Sequence, residues 1–169
     1  LNLFLYPLSF FKWEKFADQY GELLNGKPLA AILEFPLPEF LPLIENIKKR
    51  KGKILYDLID DWQTSLGSDW YTREDELKII KASDALTATA RPLQEHLKRV
   101  SNRTVRLLPN AVDDHIFNAS CSYARPFDLP GNKHIIIYIG ALWGEWFDWE
   151  LLEKIAKRNE NSAVGVIGD

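Results

Sequence analysis

Two adjacent carboxylates, Asp60 and Asp61, close the apolar run KILYDLIDD, Lys53 to Asp61. A carboxylate at a strand end offers acceptor oxygens outside the ladder, so it can orient a hydroxyl, act as a general base or ligate a divalent cation. It can equally accept backbone N–H bonds within a turn, and residue type alone does not choose between these uses. A phospho-receiver site would need another strand-end Asp and a strand-end Lys around the pair, and the sequence supplies no such set.

A second stretch with chemical content is GALWGEWFDW, beginning at Gly140. Gly140 and Gly144, with Ala141 and Leu142 between them, would let backbone approach a phosphate closely. Trp143 and Trp146 can stack on a base or sugar, but with Trp149 they recur at three-residue spacing, which suits core packing as well. The stretch is neither GxGxxG nor a P-loop. Glu145, Asp148 and Glu150 surround the helix start that follows and would repel a phosphate held by the helix dipole alone, so a diphosphate there needs cations from elsewhere. Among the histidines, His96 reads as a surface helix residue and His134 as a strand-start residue, while His115 lies in a polar link. No Ser-His-Asp arrangement and no metal-ligand set can be placed at strand ends, so a hydrolytic triad is disfavoured and no bound metal is expected. The single cysteine, Cys121, cannot form an internal disulfide, which fits a reducing compartment.

The elements that must position these residues alternate. Phe11 to Gly26 has near-helical apolar spacing and a glycine stop. Pro28 to Phe35 is a short continuous apolar run, as expected of a strand covered on both faces. LIENIKKRKG reads as a helix with its cations at the favourable end. Lys53 to Asp61 is a second buried strand. TREDELKIIKAS is a helix capped by Thr72, with Glu74, Asp75 and Glu76 in its first turn. DALTATA is a strand, RPLQEHLKRV a helix that tolerates Pro92 in its first turn, and TVRLLP a further strand. KHIIIYIG, the helix DWELLEKIAKRN with Asp148 as N-cap, and AVGVIGD then form one more strand, helix and strand. Strands alternating with helices of roughly ten residues predict βαβ crossovers and parallel sheets, an α/β fold of Rossmann-like type.

With 169 residues, of which 46% are hydrophobic, the chain is long enough to bury a core and admits one domain or parts of two. A net charge of −3, with basic residues scattered among acidic ones, argues against a dedicated nucleic-acid surface. No apolar run has the roughly 18 to 20 residues of a spanning helix, and LNLFLYPLSFF is broken by Pro7 and lacks a basic flank, so a cytoplasmic location is expected. The absence of Met from the whole chain predicts an incomplete or processed polypeptide.

In VRLLPNAVDDHIF, Val105 to Phe117, Pro109 should stop the ladder and Asn110 can bond its own backbone in a turn. Together with DALTATARPLQEHLKR before it and IIIYIGALWGEWFDWELLEKIAKRNENSAVGVIGD after it, this stretch resembles the mid-section of family 4, "group 1" type, GT-B glycosyltransferases. The resemblance covers about Lys53 to Asp169. YDLIDDW and WFDWELL resemble a bacterial subgroup of surface-polysaccharide assembly.

The resemblance implies an N-terminal, acceptor-side Rossmann-like domain over residues 1–112 that lacks its first part. It further implies an interdomain linker over 113–130 and the truncated start of a nucleotide-sugar domain over 131–169. Pro109, Asn110 and Ala111 would form the interdomain hinge. Ala111 stands where glycine is usual, so the turn there should avoid positive φ. Gly140, Ala141, Leu142 and Gly144 would lie near the donor phosphates, Trp143 and Trp146 could stack on the donor, and Asp60 or Asp61 would lie on the acceptor side.

The implied activity is transfer of a sugar from a nucleotide diphosphate-sugar to a glycan or lipid-linked acceptor with retention of configuration. It needs no metal and no cofactor, and peripheral association with the inner face of a membrane would fit such an acceptor. A glycine-rich loop would precede Leu1, and a donor-binding half with Arg, Lys and an E-x7-E element would follow Asp169, so the chain alone should be inactive. A non-catalytic α/β binding module is the alternative, since fold does not dictate function. A GT-B sugar-nucleotide epimerase is a further one.

Overall fold

A computed structural model of the chain describes residues 30–67, 69–142 and 147–168. The helix expected over Phe11 to Gly26 lies outside the described residues. The chain divides into two compact units between Ala111 and Val112, and each is described by itself.

The first unit is a four-stranded parallel sheet in the order β1 (Ala30–Leu33), β2 (Lys53–Leu58), β3 (Ala85–Ala88), β4 (Arg106–Leu107). Helices α1 (Leu41–Lys49), α2 (Arg73–Ala82) and α3 (Arg91–Ser101) join successive strands. This is the mixed α/β, parallel-strand architecture that the alternation predicts. Ile54, Tyr56 and Leu58 alternate along β2 and are buried, and they meet Ile44 and Ile47 of α1, Ile79 and Ile80 of α2 and Leu97 of α3 in one core. Each such side chain contributes roughly 1.5 to 3 kcal/mol when fully buried.

The helix ends follow local chemistry. The Thr72 hydroxyl accepts the Asp75 N–H at 3.1 Å, the expected cap. After α1, Lys51 takes φ 59° while the Gly52 N–H reaches the Ile47 carbonyl at 2.9 Å, so the turn closes with a left-handed lysine. Asn102, at φ 52°, ends α3 in the same way.

Two strands differ from expectation. β1 is not covered on both faces: Leu33 is buried, whereas Ile32 is 65% exposed, because β1 is the outer strand of this sheet among the described residues. β4 pairs over only two residues. The Leu108 N–H still reaches the Ala88 carbonyl at 2.9 Å, and Pro109, with no N–H to give, ends the ladder there. Ala111 is not among the residues with positive φ, so the turn after Asn110 has no need of glycine.

The second unit pairs β5 (His134–Ile139) with β6 (Ser162–Ile167) in parallel over six residues, with α4 (Trp149–Arg158) between them in sequence. Asp148 caps α4 by accepting the Leu151 N–H at 2.8 Å. Two strands and one helix bury little: no residue of α4 is buried, and Ile139 is 73% exposed. Among the described residues, no helix is long and apolar enough to cross a membrane.

Asp84, at the entry to β3, ties the amino ends of the first sheet together. Its carboxylate accepts from Lys48 at 2.6 Å, Lys53 at 3.2 Å and the Ile54 N–H at 2.8 Å, while Arg103 donates to its carbonyl at 3.0 Å. The Lys48 ammonium, then the Ile54 N–H, hold this carboxyl well below the ordinary carboxylate value. A depressed folded-state pKa gives stability that is complete above the unfolded value near 3.9 and is lost as pH falls through the folded one. Asp84→Asn is therefore expected to cost about 1 to 2 kcal/mol at neutral pH, at the low end for charged hydrogen bonds because the lysines are partly exposed. The difference from the unaltered chain should shrink below about pH 4 in urea titrations.

Candidate functional site

A pocket of about 380 Å³ lies where β2 ends. Leu58, the last residue of β2, forms part of its wall, followed by Asp60, Asp61, Trp62 and Gln63. Tyr71 and Glu76 line it from the start of α2, and Pro92, Leu93, Glu95, His96 and Arg99 from α3. In a parallel sheet this is where loops and helix starts converge, and its volume lies within the roughly 300 to 1,000 Å³ of small-molecule sites.

The loop after β2 is built by its own polar groups. Asp60 Oδ1 accepts the Asp61 N–H at 2.9 Å, and Asp61 Oδ1 accepts the Gln63 N–H at 3.1 Å. Both aspartates thus do the turn work that their residue type allows, and both also line the pocket. Gly67 is required where it stands: a Cβ there would lie 2.1 Å from the Trp62 carbonyl oxygen and 2.8 Å from Tyr71 Cβ. That close approach lets the chain turn back from Trp62 to Tyr71. Trp62 itself is buried, stacked on Phe35 at 4.9 Å and tilted against Trp70 at 5.3 Å. Its Nε1–H is buried without a hydrogen-bond partner among the described residues.

The wall behind the aspartates is organised by Glu76, which is 2% exposed. Its Oε1 accepts from the Tyr56 hydroxyl at 3.1 Å, and its Oε2 accepts from the Tyr71 hydroxyl at 2.9 Å. His96 Nε2 stands 3.3 Å from the same Oε2, and the Gln63 amide nitrogen stands 3.3 Å from His96 Nδ1. The same Gln63 nitrogen is 3.4 Å from Nε2, so the amide lies over the ring and not on the lone pair of either nitrogen. Burial first, and then the Glu76 carboxylate, pushes both the Tyr56 and the Tyr71 hydroxyls well above the ordinary tyrosine value, so both remain donors. The result is an imidazole held beside the buried Glu76 carboxylate and covered by the exposed Gln63 side chain.

This corrects the reading of His96 as a surface residue: its side chain is only 15% exposed and is bonded to a buried carboxylate. Glu76, Tyr56, Tyr71 and Gln63 were not singled out as candidates either. A signal existed, because Glu76 shares a helical stripe with Ile79 and Ile80, and a carboxylate on an apolar stripe needs a partner. His115 and His134 are exposed, in the link and at the start of β5.

The remaining candidates lie elsewhere in the chain. Pro109, Asn110 and Ala111 follow β4 and are exposed. Gly140 follows β5 at φ +156°, and the Tyr138 hydroxyl donates to the Ala141 carbonyl at 2.9 Å. A Cβ on Gly168 would lie 1.8 Å from the Gly140 oxygen, so the two strand ends meet backbone to backbone. Leu142 is half-buried beside them, whereas Trp143, Gly144 and Trp146 lie outside the described residues. Among the described residues, no group of three or more His, Cys, Asp or Glu side chains is arranged to hold a metal ion. No protein-family model matches the chain, and no curated protein sequence matches it significantly.

Removing one donor from Glu76 should be costly in proportion to its burial. Tyr71→Phe is expected to lower stability at pH 7 by about 1 to 3 kcal/mol. The raised tyrosine values add a pH signature: their contribution is complete below the unfolded value near 10 and is lost as pH rises above it. The unaltered chain should therefore lose stability in alkali, and Tyr71→Phe should lose less of what it has. An equal alkaline slope in the two proteins, measured by urea melts between about pH 8 and 11, would argue against the Glu76 network.

Proposed function

We propose that the chain is the acceptor-side unit and the beginning of the nucleotide-sugar unit of a GT-B type glycosyltransferase. The observation that carries this reading is the pocket at the end of β2, where carboxylates, an amide and a fixed imidazole converge beside a buried tryptophan. Such a set suits a substrate whose polar groups are hydroxyls. In sugar transfer, the bond from the anomeric carbon to a phosphate oxygen breaks and a bond to an acceptor hydroxyl oxygen forms. The acceptor hydroxyl must be held by hydrogen-bond acceptors, and the departing diphosphate needs fixed donors.

The loop opening at Gly140 supports the donor half of the reading. Its backbone follows a parallel strand and is packed without side-chain bulk against Gly168. Asp148 already occupies the first turn of α4, so the helix end is a poor phosphate site by itself and the charge of a diphosphate would fall to cations outside this chain.

The reading is tested on the full reading frame that encodes the chain. It should release nucleoside diphosphate from a nucleotide sugar in the presence of a saccharide acceptor, with no loss of rate in EDTA, whereas residues 1–169 alone should release none. A full-length protein that binds none of the UDP-, GDP- and dTDP-sugars would overturn the reading. Saccharide binding without turnover on any donor would assign a non-catalytic carbohydrate-binding module instead.

A further inference from the structure

We infer that the basic turn after α1 is a docking surface for anionic lipid headgroups, and that a chain held there opens the pocket at the end of β2 toward water. This surface stands apart from the pocket and does not depend on the transferase reading.

Five of the six residues from Lys48 to Lys53 are cationic. Asp84 gathers the two at the ends of the run and adds a sixth cation from beyond α3: its carboxylate accepts from Lys48 and Lys53, and its carbonyl accepts from Arg103. Lys49, Arg50 and Lys51, between them, are exposed. They form no ion pair among the described residues, although Glu45 stands one turn back from Lys49 on α1.

Cations at the end of a helix ordinarily meet its last carbonyls. Here the backbone does so instead. The Arg50 and Gly52 N–H groups reach the Ile47 carbonyl at 3.1 and 2.9 Å, and the Lys51 N–H reaches the Lys48 carbonyl at 2.9 Å. Lys51 also stands at φ 59°, where glycine or asparagine closes a turn with less strain, so its ammonium serves neither the turn nor an ion pair. The helix dipole returns about half a negative charge at this end, too little to offset Lys49, Arg50 and Lys51.

The chain's net charge of −3 hides this surface, because acids gather at the other end of the sheet. Asp60, Asp61 and Glu95 line the pocket beyond Leu58, whereas the basic turn leads into Lys53, at the start of the same strand. The six residues of β2 hold the two ends roughly 17 Å apart, about twice the Debye length in physiological salt, so the acids do not cancel the attraction. A projecting turn with no aromatic side chain suits a planar array of headgroups, whereas a nucleic acid calls for a groove or a stacking platform.

Sedimentation with vesicles tests the surface. The chain should pellet with vesicles in which about a third of the lipid is phosphatidylglycerol, stay in solution with phosphatidylcholine alone, and be released by about 0.5 M NaCl. Each cation near such a surface is worth about fivefold in partitioning, so Lys49→Gln, Arg50→Gln and Lys51→Asn together should weaken binding about a hundredfold. Asparagine at the last position keeps the left-handed turn. Removing as much charge from α4, by Lys154→Gln, Lys157→Gln and Arg158→Gln, should leave binding unchanged. A photocrosslinker carried on the headgroup should label the peptide with Lys48–Lys53 and spare the one with Asp60–Gln63.

Docking is overturned if anionic vesicles do not bind the unaltered chain, if the two triple variants lose binding equally, or if the crosslinker labels the pocket loop. Binding of duplex DNA in place of vesicles would make the turn a nucleic-acid surface and overturn it as well. Turnover on a nucleotide sugar bears only on the catalytic reading, and vesicle binding only on this one.

Discussion

A carboxylate removed from water needs its lone pairs filled, and Glu76 meets that need with donors from three other segments. Tyr56 comes from the middle of β2, Tyr71 from the turn before α2, and His96 from α3. Each hydrogen bond joins α2 to a different piece of the unit, so the network fixes how the two helices stand over the sheet. Breaking one such bond in the interior leaves a charged group short of a partner, which is why a single hydroxyl there matters more than a surface ion pair such as Lys78 with Glu74. The same network borders the polar pocket at the end of β2, where Tyr71, Glu76 and His96 form part of the wall.

The opposite end of the sheet is closed by a different device. Asp84 gathers two lysines and a backbone N–H at the amino ends of the strands, in a partly exposed setting where the pairs are individually modest. Charge is therefore used at both ends, in different dielectric surroundings. At the amino ends it organises the start of β3, and at the carboxyl ends it ties Tyr56, Tyr71 and His96 to one buried carboxylate. The second unit has no comparable buried polar group among the described residues. Its register is carried by the six-residue ladder of β5 and β6, and by two glycines whose backbones touch at the strand ends.

Much of the fold was legible because it rests on short-range rules. Thr72 and Asp148 cap the helices they precede, and Pro109 ends the last ladder of the first sheet, each for a reason contained within a few residues. The alternation of apolar runs with ten-residue helices was enough to expect parallel strands. Less of the pocket could be read. Asp60 and Asp61 were visible as strand-end carboxylates, and they do line it, but the residues that organise it were passed over. His96 looked like a surface residue because a histidine on a charged helix usually is one. Ile32 looked buried because an apolar run does not say whether its strand is central or outermost.

Residue order by itself determined the alternation of strands and helices and some of their ends, such as those at Thr72, Pro109 and Asp148, because caps, prolines and periodicity act within one or two turns of chain. It also determined that carboxylates and glycines would stand at strand ends. Only the tertiary structure decided that Tyr56, Tyr71, Glu76 and His96 meet. They lie up to forty residues apart, and their hydrogen bonds form only after parallel pairing has brought β2, α2 and α3 together. The cost of burying a carboxylate is a property of the folded interior, and so is the choice of partners that offsets it.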